Sequence, residues 1–158
     1  MDIKENQYQE GMVKETVHRA DGSVEVQWSK NLFLNQGMDY LAAFQSTTVT
    51  SVMNYMIVGT ATVAATLTDV ATTMGEIDRN IMATRTSPAL SNVLTEVATF
   101  AGGLDSITSA SIRELGVIND ARSGGFGSLR SRTVFGSAIV LASSDFVNFS
   151  YVTTVSSR

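Results

Sequence analysis

Residues 111–155 decide the fold class, because they read as short strands separated by glycine-rich or polar turns. The stretch runs SIRELGVINDA (111–121), SGGFGSLRSRTVF (123–135) and SAIVLASSDFVNFSYVTTV (137–155). In the last segment Val147, Phe149 and Tyr151 alternate with polar residues, which is the period-two pattern of a strand with one buried face. We therefore predict an antiparallel β-meander over these three segments.

The N-terminal part of the chain predicts a β-hairpin. The segments MVKETVHRA and SVEVQWS flank Asp21-Gly22, a dipeptide favoured in two-residue type I′ turns. In the second strand Val24, Val26 and Trp28 share one face. Residues 1–12 show no periodicity and are predicted to form a flexible arm, which leaves residues 13–158 as a single domain.

The middle of the chain predicts one helix and several strands. Asn35 resembles a helix N-cap, and the apolar spacing after it predicts a short helix over about residues 36–46. Strands are predicted over residues 52–58, 78–86 and 92–101, with a long loop over 61–75 that holds a further short turn. A single helix followed by recurring strands predicts a mainly β chain: an antiparallel β-sandwich, jelly-roll-like, with an N-terminal hairpin and one short α-helix.

Composition restricts the function classes. The chain has 158 residues, enough for one domain, with 44% apolar and 16% charged residues. Its net charge of −4 argues against a sequence-independent nucleic-acid binder. It has no cysteine, hence no disulfide or thiolate metal site, and no apolar run near the ~20 residues of a membrane helix. The polar N-terminus differs from a signal peptide, so we expect folding in a reducing cytoplasm without a membrane partner.

Residues able to carry catalysis are few. His18 is the only histidine, and it is predicted to be an exposed strand residue. The glycine cluster 124–127 lacks the Lys-Ser/Thr of a phosphate-binding loop and lies between strands, so a hairpin loop is predicted. The carboxylates that come close in sequence are Glu76 with Asp78 and Glu114 with Asp120, which we predict to be solvated. We expect no enzyme activity, no catalytic residue, no metal site and no cofactor.

Three residues are predicted to form an interface. Phe126 lies at the tip of the glycine-rich loop, where an exposed aromatic ring is a plausible contact anchor. Arg130 and Arg132 are two residues apart, so they are expected to share one face of a strand and to meet an acidic partner. A solvated strand face is the equally weighted alternative for these two arginines.

The chain resembles a recurrent type of tailed-bacteriophage virion protein over about residues 30–155. The resemblance begins with Asn35-Gln36-Gly37 before the predicted helix and continues with the strand YMIVGT (55–60) and its Ala/Thr-rich loop. The later matching segments are ELGVIN (114–119), the Gly124-Gly125 turn, LRSRTVF (129–135) and the alternating strand over residues 145–155.

This resemblance implies a β-sandwich structural protein located in the virion and assembled in the host bacterial cytoplasm. One implied role is a capsid decoration (cement) protein that binds the major capsid protein as a homo-oligomer. The alternative is a tail, fibre or baseplate subunit with tail proteins as partners. A carbohydrate-binding module is a third hypothesis, although the aromatic residues it would need are scattered in the sequence: Trp28, Tyr40, Tyr55 and Tyr151.

Overall fold

The computed structural model describes residues 7–39, 53–88, 92–103, 107–108 and 110–157. The described strands are β1 (Gln7–His18), β2 (Val24–Phe33), β3 (Tyr55–Gly59), β4 (Glu76–Ile81), β5 (Thr84–Thr86), β6 (Val93–Ala101), β7 (Ser111–Ile118), β8 (Leu129–Val140) and β9 (Phe146–Ser157). Residues 35–39 are helical, and Ala71–Thr73 form a short 3-10 helix. The predicted mainly β class is confirmed.

The nine strands form one antiparallel sheet in the order β4-β3-β7-β8-β2-β1-β9-β6-β5. A four-stranded half (β4, β3, β7, β8) meets a five-stranded half (β2, β1, β9, β6, β5) through only two paired positions, Leu32 with Arg132 and Phe33 with Ser131. The sheet curls at this narrow junction into a half-barrel. The predicted sandwich or jelly-roll of two separate sheets is therefore not confirmed.

The two ends of the sheet also approach each other. β4 pairs with β3 and β5 pairs with β6, yet only Met82-Ala83 separate β4 from β5 in sequence. The Asn80 side-chain amide donates a 2.9 Å hydrogen bond to the Thr99 carbonyl across this gap. The hydrophobic core lies between the halves, where the rings of Phe135 (β8) and Phe149 (β9) stack at 5.7 Å between centroids.

The N-terminal hairpin is confirmed, but its turn differs from the prediction. β1 and β2 pair up to His18 with Val24, and Arg19 N–H then bonds the Ser23 carbonyl. The loop therefore has three residues, 20–22, between Arg19 and Ser23, and Gly22 has a φ of 85°. A glycine with positive φ at the end of a three-residue loop matches the twist of a hairpin as well as the expected two-residue turn does.

The predicted meander over residues 111–155 is correct for β7 and β8 and wrong for β9. β9 pairs with β1 and β6 in the five-stranded half and not with β8. The connection between β8 and β9 is tight, and in it buried Asp145 accepts hydrogen bonds from Ala142 N–H (3.0 Å) and Arg19 (2.9 Å). This connection turns the chain across the core instead of back along the same half.

Two further boundaries are corrected. Residues 7–12 belong to β1 and pair with β9, so they are not part of a flexible arm, and residues 1–6 lie outside the described part. The helix begins at residue 35, one residue before the predicted start. The Leu34 carbonyl accepts the hydrogen bond from Met38 N–H, so Leu34 occupies the N-cap position that was predicted for Asn35. The rest of the predicted helix, residues 40–46, falls outside the described residues.

Candidate interaction surface

The glycine-rich loop between β7 and β8 is clamped by an ion pair on β4. Glu76 forms a two-pronged salt bridge with Arg79, at 2.6 and 2.8 Å. The same carboxylate accepts N–H bonds from Gly124 (3.1 Å) and Gly125 (3.4 Å), and Arg79 donates to the Asp120 carbonyl (2.6 Å). Burial acts to raise the pKa of Glu76, but these donors outweigh it and hold that pKa below its usual value. The loop's amide groups thus face a resident carboxylate, which supports the hairpin-loop interpretation over a phosphate-binding one.

Phe126 projects from this clamped loop with 51% of its surface exposed. The Arg122 guanidinium lies 4.6 Å from the ring centroid and is itself paired with Asp120 at 2.7 Å. Hydrogen bonds from Arg122 lower the pKa of Asp120 to about 2. The predicted exposure of Phe126 is confirmed, and the ring is held in position by a cation–π contact and an anchored backbone.

Arg130 and Arg132 do not share a strand face, contrary to the prediction. The register between β7 and β8 shifts, because Val117 pairs with Ser131 whereas Ile118 pairs with Leu129. Arg130 is the extra residue of this β-bulge, and a bulge interrupts the alternation of side chains. Sequence spacing alone carries no signal of the bulge.

Both arginines are also buried, so the exposure expected of an interface is wrong for them. Arg130 forms a buried ion pair with Glu96 of β6, and its guanidinium lies 5.0 Å from the centroid of the Tyr151 ring. Arg132 is 1% exposed and bonds Asp69 at 2.7 Å and Glu114 at 2.8 Å.

The Arg132 network fastens the Ala/Thr-rich loop to the sheet. Besides the two carboxylates, Arg132 donates to the Val63 carbonyl at 3.1 Å. Glu114 accepts N–H bonds from Ala61 (3.0 Å) and Gly75 (2.8 Å), one at each end of the loop. Burial acts to lower the pKa of Arg132, but the two carboxylates outweigh it and hold that pKa above its usual value. The carboxylate Glu114, predicted to be solvated, is therefore a buried structural group.

The remaining candidates for chemistry are dispersed. His18 lies in β1, half-buried, with its ring stacked on Phe146 at 4.3 Å between centroids. Within the described part of the chain, no three His, Cys, Asp or Glu residues are grouped so that they could hold a metal ion. No helix among the described residues is long and apolar enough to cross a membrane.

A cleft of about 190 Å³ opens where β2 separates from β8, between Val26 and Gln27 on one side and Ser137 to Ile139 on the other. Beside it, Glu15 is fully buried on β1, directly opposite Gln27. Neither of its carboxylate oxygens has a hydrogen-bond partner of acceptable geometry. Burial raises the pKa of this carboxyl to about 7, against a smaller opposing effect from nearby Ser29.

Sequence reasoning missed one surface, the outward face of β2. Val24, Val26 and Trp28 do share a face, but that face is turned to solvent, with 53%, 52% and 55% exposure. The alternation of apolar and polar residues in β2 predicts that these three side chains share a face, but it does not predict which face of the strand is buried.

Comparison with known proteins found no family model, no curated protein and no solved structure that matches this chain. The relationship to phage virion proteins therefore remains a proposal based on the sequence segments that carry it.

Proposed function

We propose that this chain is a structural protein of a tailed-bacteriophage particle, and more narrowly a capsid decoration protein that binds the assembled shell as a homo-oligomer. The observation that carries the proposal is the Phe126 tip. An exposed aromatic ring on a clamped loop is already ordered before binding, so little conformational entropy is lost when it is buried in a partner. Contact anchors of protein interfaces have this character.

The buried ion pairs support the same role. Arg79 with Glu76 and Arg132 with Glu114 each hold a loop against the sheet, which gives a rigid body with fixed surface features. A rigid subunit that binds only the assembled shell stabilises the shell by mass action. The stabilising free energy grows with the logarithm of the ratio of the subunit's concentration to its dissociation constant. The mechanism needs a surface that recognises the shell, and the major capsid protein is the proposed partner.

Co-sedimentation tests the proposal. Empty shells assembled from the major capsid protein of the same genome are mixed with the purified chain and pelleted. We expect saturable binding, and Phe126→Ala is expected to weaken it roughly tenfold, or about 1.4 kcal/mol. Val63→Ala is the matched control, because Val63 is a 72% exposed apolar residue on a different loop.

One outcome decides against the decoration role, and another decides against Phe126 as its contact residue. A chain that stays in the supernatant with shells but is captured by purified tails is a tail, fibre or baseplate subunit. Equal binding of the Phe126 variant and the wild type removes the tip from the interface.

A further inference from the structure

β2 has the reverse of the polarity expected for a strand at the surface of a soluble sheet. Its outward residues Val24, Val26 and Trp28 are all more than half exposed, whereas the alternating positions that face the interior are polar, such as Gln27 and Ser29. A sheet with one solvated face normally places its apolar residues on the core side. The outward side of β2 therefore has the composition of a covered face.

This composition extends across the five-stranded half. The outward face comprises alternate positions over 12–18, 24–30, 84–86, 93–101 and 146–154. Among these described side chains there are two lysines, one histidine and no carboxylate, although the chain has 15 Asp and Glu. The others are uncharged, mainly Val and Thr. Depletion of charge distinguishes the core of a protein interface from the rest of a surface.

Two basic side chains of this face, Lys14 and His18, lie against aromatic rings. The Lys14 ammonium is 5.9 Å from the Trp28 ring centroid, and the His18 ring stacks on Phe146 with only 10° between the planes. Long lysine side chains cover apolar surface with their methylene groups while the charged end stays at the rim. The face can accordingly be covered without burying an unpaired charge.

The area lies at the lower end of what a specific contact needs. Five strands about 4.8 Å apart and about seven residues long cover roughly 24 by 23 Å, or about 550 Å² on each copy. Two such faces bury about 1,100 Å², slightly above the roughly 1,000 Å² that a specific interface requires.

We propose that this face docks on the same face of a second copy of the chain, as two stacked sheets related by a two-fold axis. Sheets with uncharged, mainly β-branched faces pack about 10 Å apart in this way, and two-fold dimers are the commonest homo-oligomers. The inference deepens the proposed function and rests on it, since a homo-oligomer is part of that function.

Sedimentation equilibrium of the full chain tests the dimer. We expect a monomer–dimer equilibrium at micromolar concentration, and Val26→Glu is expected to raise the dissociation constant at least a hundredfold. Val63→Glu, outside the face, is expected to leave it unchanged. Circular dichroism and thermal melting establish that both variants are folded. A wild-type chain that is monomeric at 100 µM, or a Val26→Glu variant that still dimerises like the wild type, overturns the inference.

Thiol accessibility locates the contact. The chain has no cysteine, so Ser150→Cys on the outward face and Ser143→Cys on the β8–β9 connection each introduce a single thiol. Alkylation at Ser150→Cys is expected to slow as the dimer forms, while that at Ser143→Cys stays constant. Equal rates in the dimer, or protection that appears only when shells are added, overturn the inference.

The two proposals fail separately. A monomer that still co-sediments with shells contradicts the self-docking face and keeps the decoration role. A dimer with protected Ser150→Cys that binds neither shells nor tails supports the face and contradicts the role.

Discussion

Glu15 makes the stability of this protein depend on pH in an unusual direction. Its carboxyl is fully buried without a hydrogen-bond partner of acceptable geometry, and burial raises its pKa from 4.5 to about 7. A group whose pKa is raised on folding is more easily protonated in the folded state, so its ionisation destabilises the fold as pH rises. The penalty begins above the unfolded-state pKa, grows between pH 4.5 and 7, and is constant at higher pH.

The size of the effect follows from this shift. With 1.36 kcal/mol per pKa unit, the ionisation penalty is about 1 kcal/mol at pH 5 and about 3 kcal/mol at pH 8. Glu15→Gln removes the titrating group. We therefore expect the stability of the variant, relative to the wild type, to rise by about 2–3 kcal/mol between pH 5 and pH 8.

Urea denaturation at pH 5, 6, 7 and 8 measures this difference. The comparison at each pH cancels the other titrating groups, which the two proteins share. Glu25→Gln is the control, because Glu25 is exposed and its pKa is lowered by Arg19, so its relative stability is expected to stay flat over this range. A pH-independent difference for Glu15→Gln would show that Glu15 is ionised and solvated in the folded protein.

Two other substitutions test the packing. Gly11→Ala places a methyl group on the Asn31 side-chain amide and is expected to lower the free energy of unfolding by about 1–3 kcal/mol in urea denaturation. Gly136→Ala, with open space around it, is expected to be nearly neutral. Equal effects of the two substitutions would contradict the packing at Gly11. Arg132→Met leaves two buried carboxylates without their cation and is expected to cost about 3–5 kcal/mol in thermal melting. Arg122→Met, at an exposed pair, is expected to be nearly neutral in the same assay. Similar losses for the two variants would contradict the buried network.

Local patterns in the sequence predict local structure well here. The alternation of Val147, Phe149 and Tyr151 predicts that these residues share one face of β9, and Asp21-Gly22 predicts the hairpin between β1 and β2. Both depend on interactions between residues close in sequence. The strand before the loop over residues 61–75 is predicted for the same reason. The single strand predicted over residues 78–86 is wrong, because β4 ends at Ile81 and β5 begins at Thr84.

Features that depend on distant partners were not predictable. The bulge that separates Arg130 from Arg132 depends on the register of β7 against β8, which neither strand encodes alone. The exposure of Val24, Val26 and Trp28 depends on which side of β2 meets the core. The alternation of residues along β2 is the same whichever side that is. The placement of β9 beside β1 depends on the whole sheet order.

Quantitative co-sedimentation with shells built only from the major capsid protein tests the central claim most directly, since it asks whether this chain binds an assembled shell. We predict a pelleted fraction that rises with chain concentration and saturates at a fixed ratio to the capsid protein. A chain that remains in the supernatant at every concentration, although folded by circular dichroism, would contradict the decoration role.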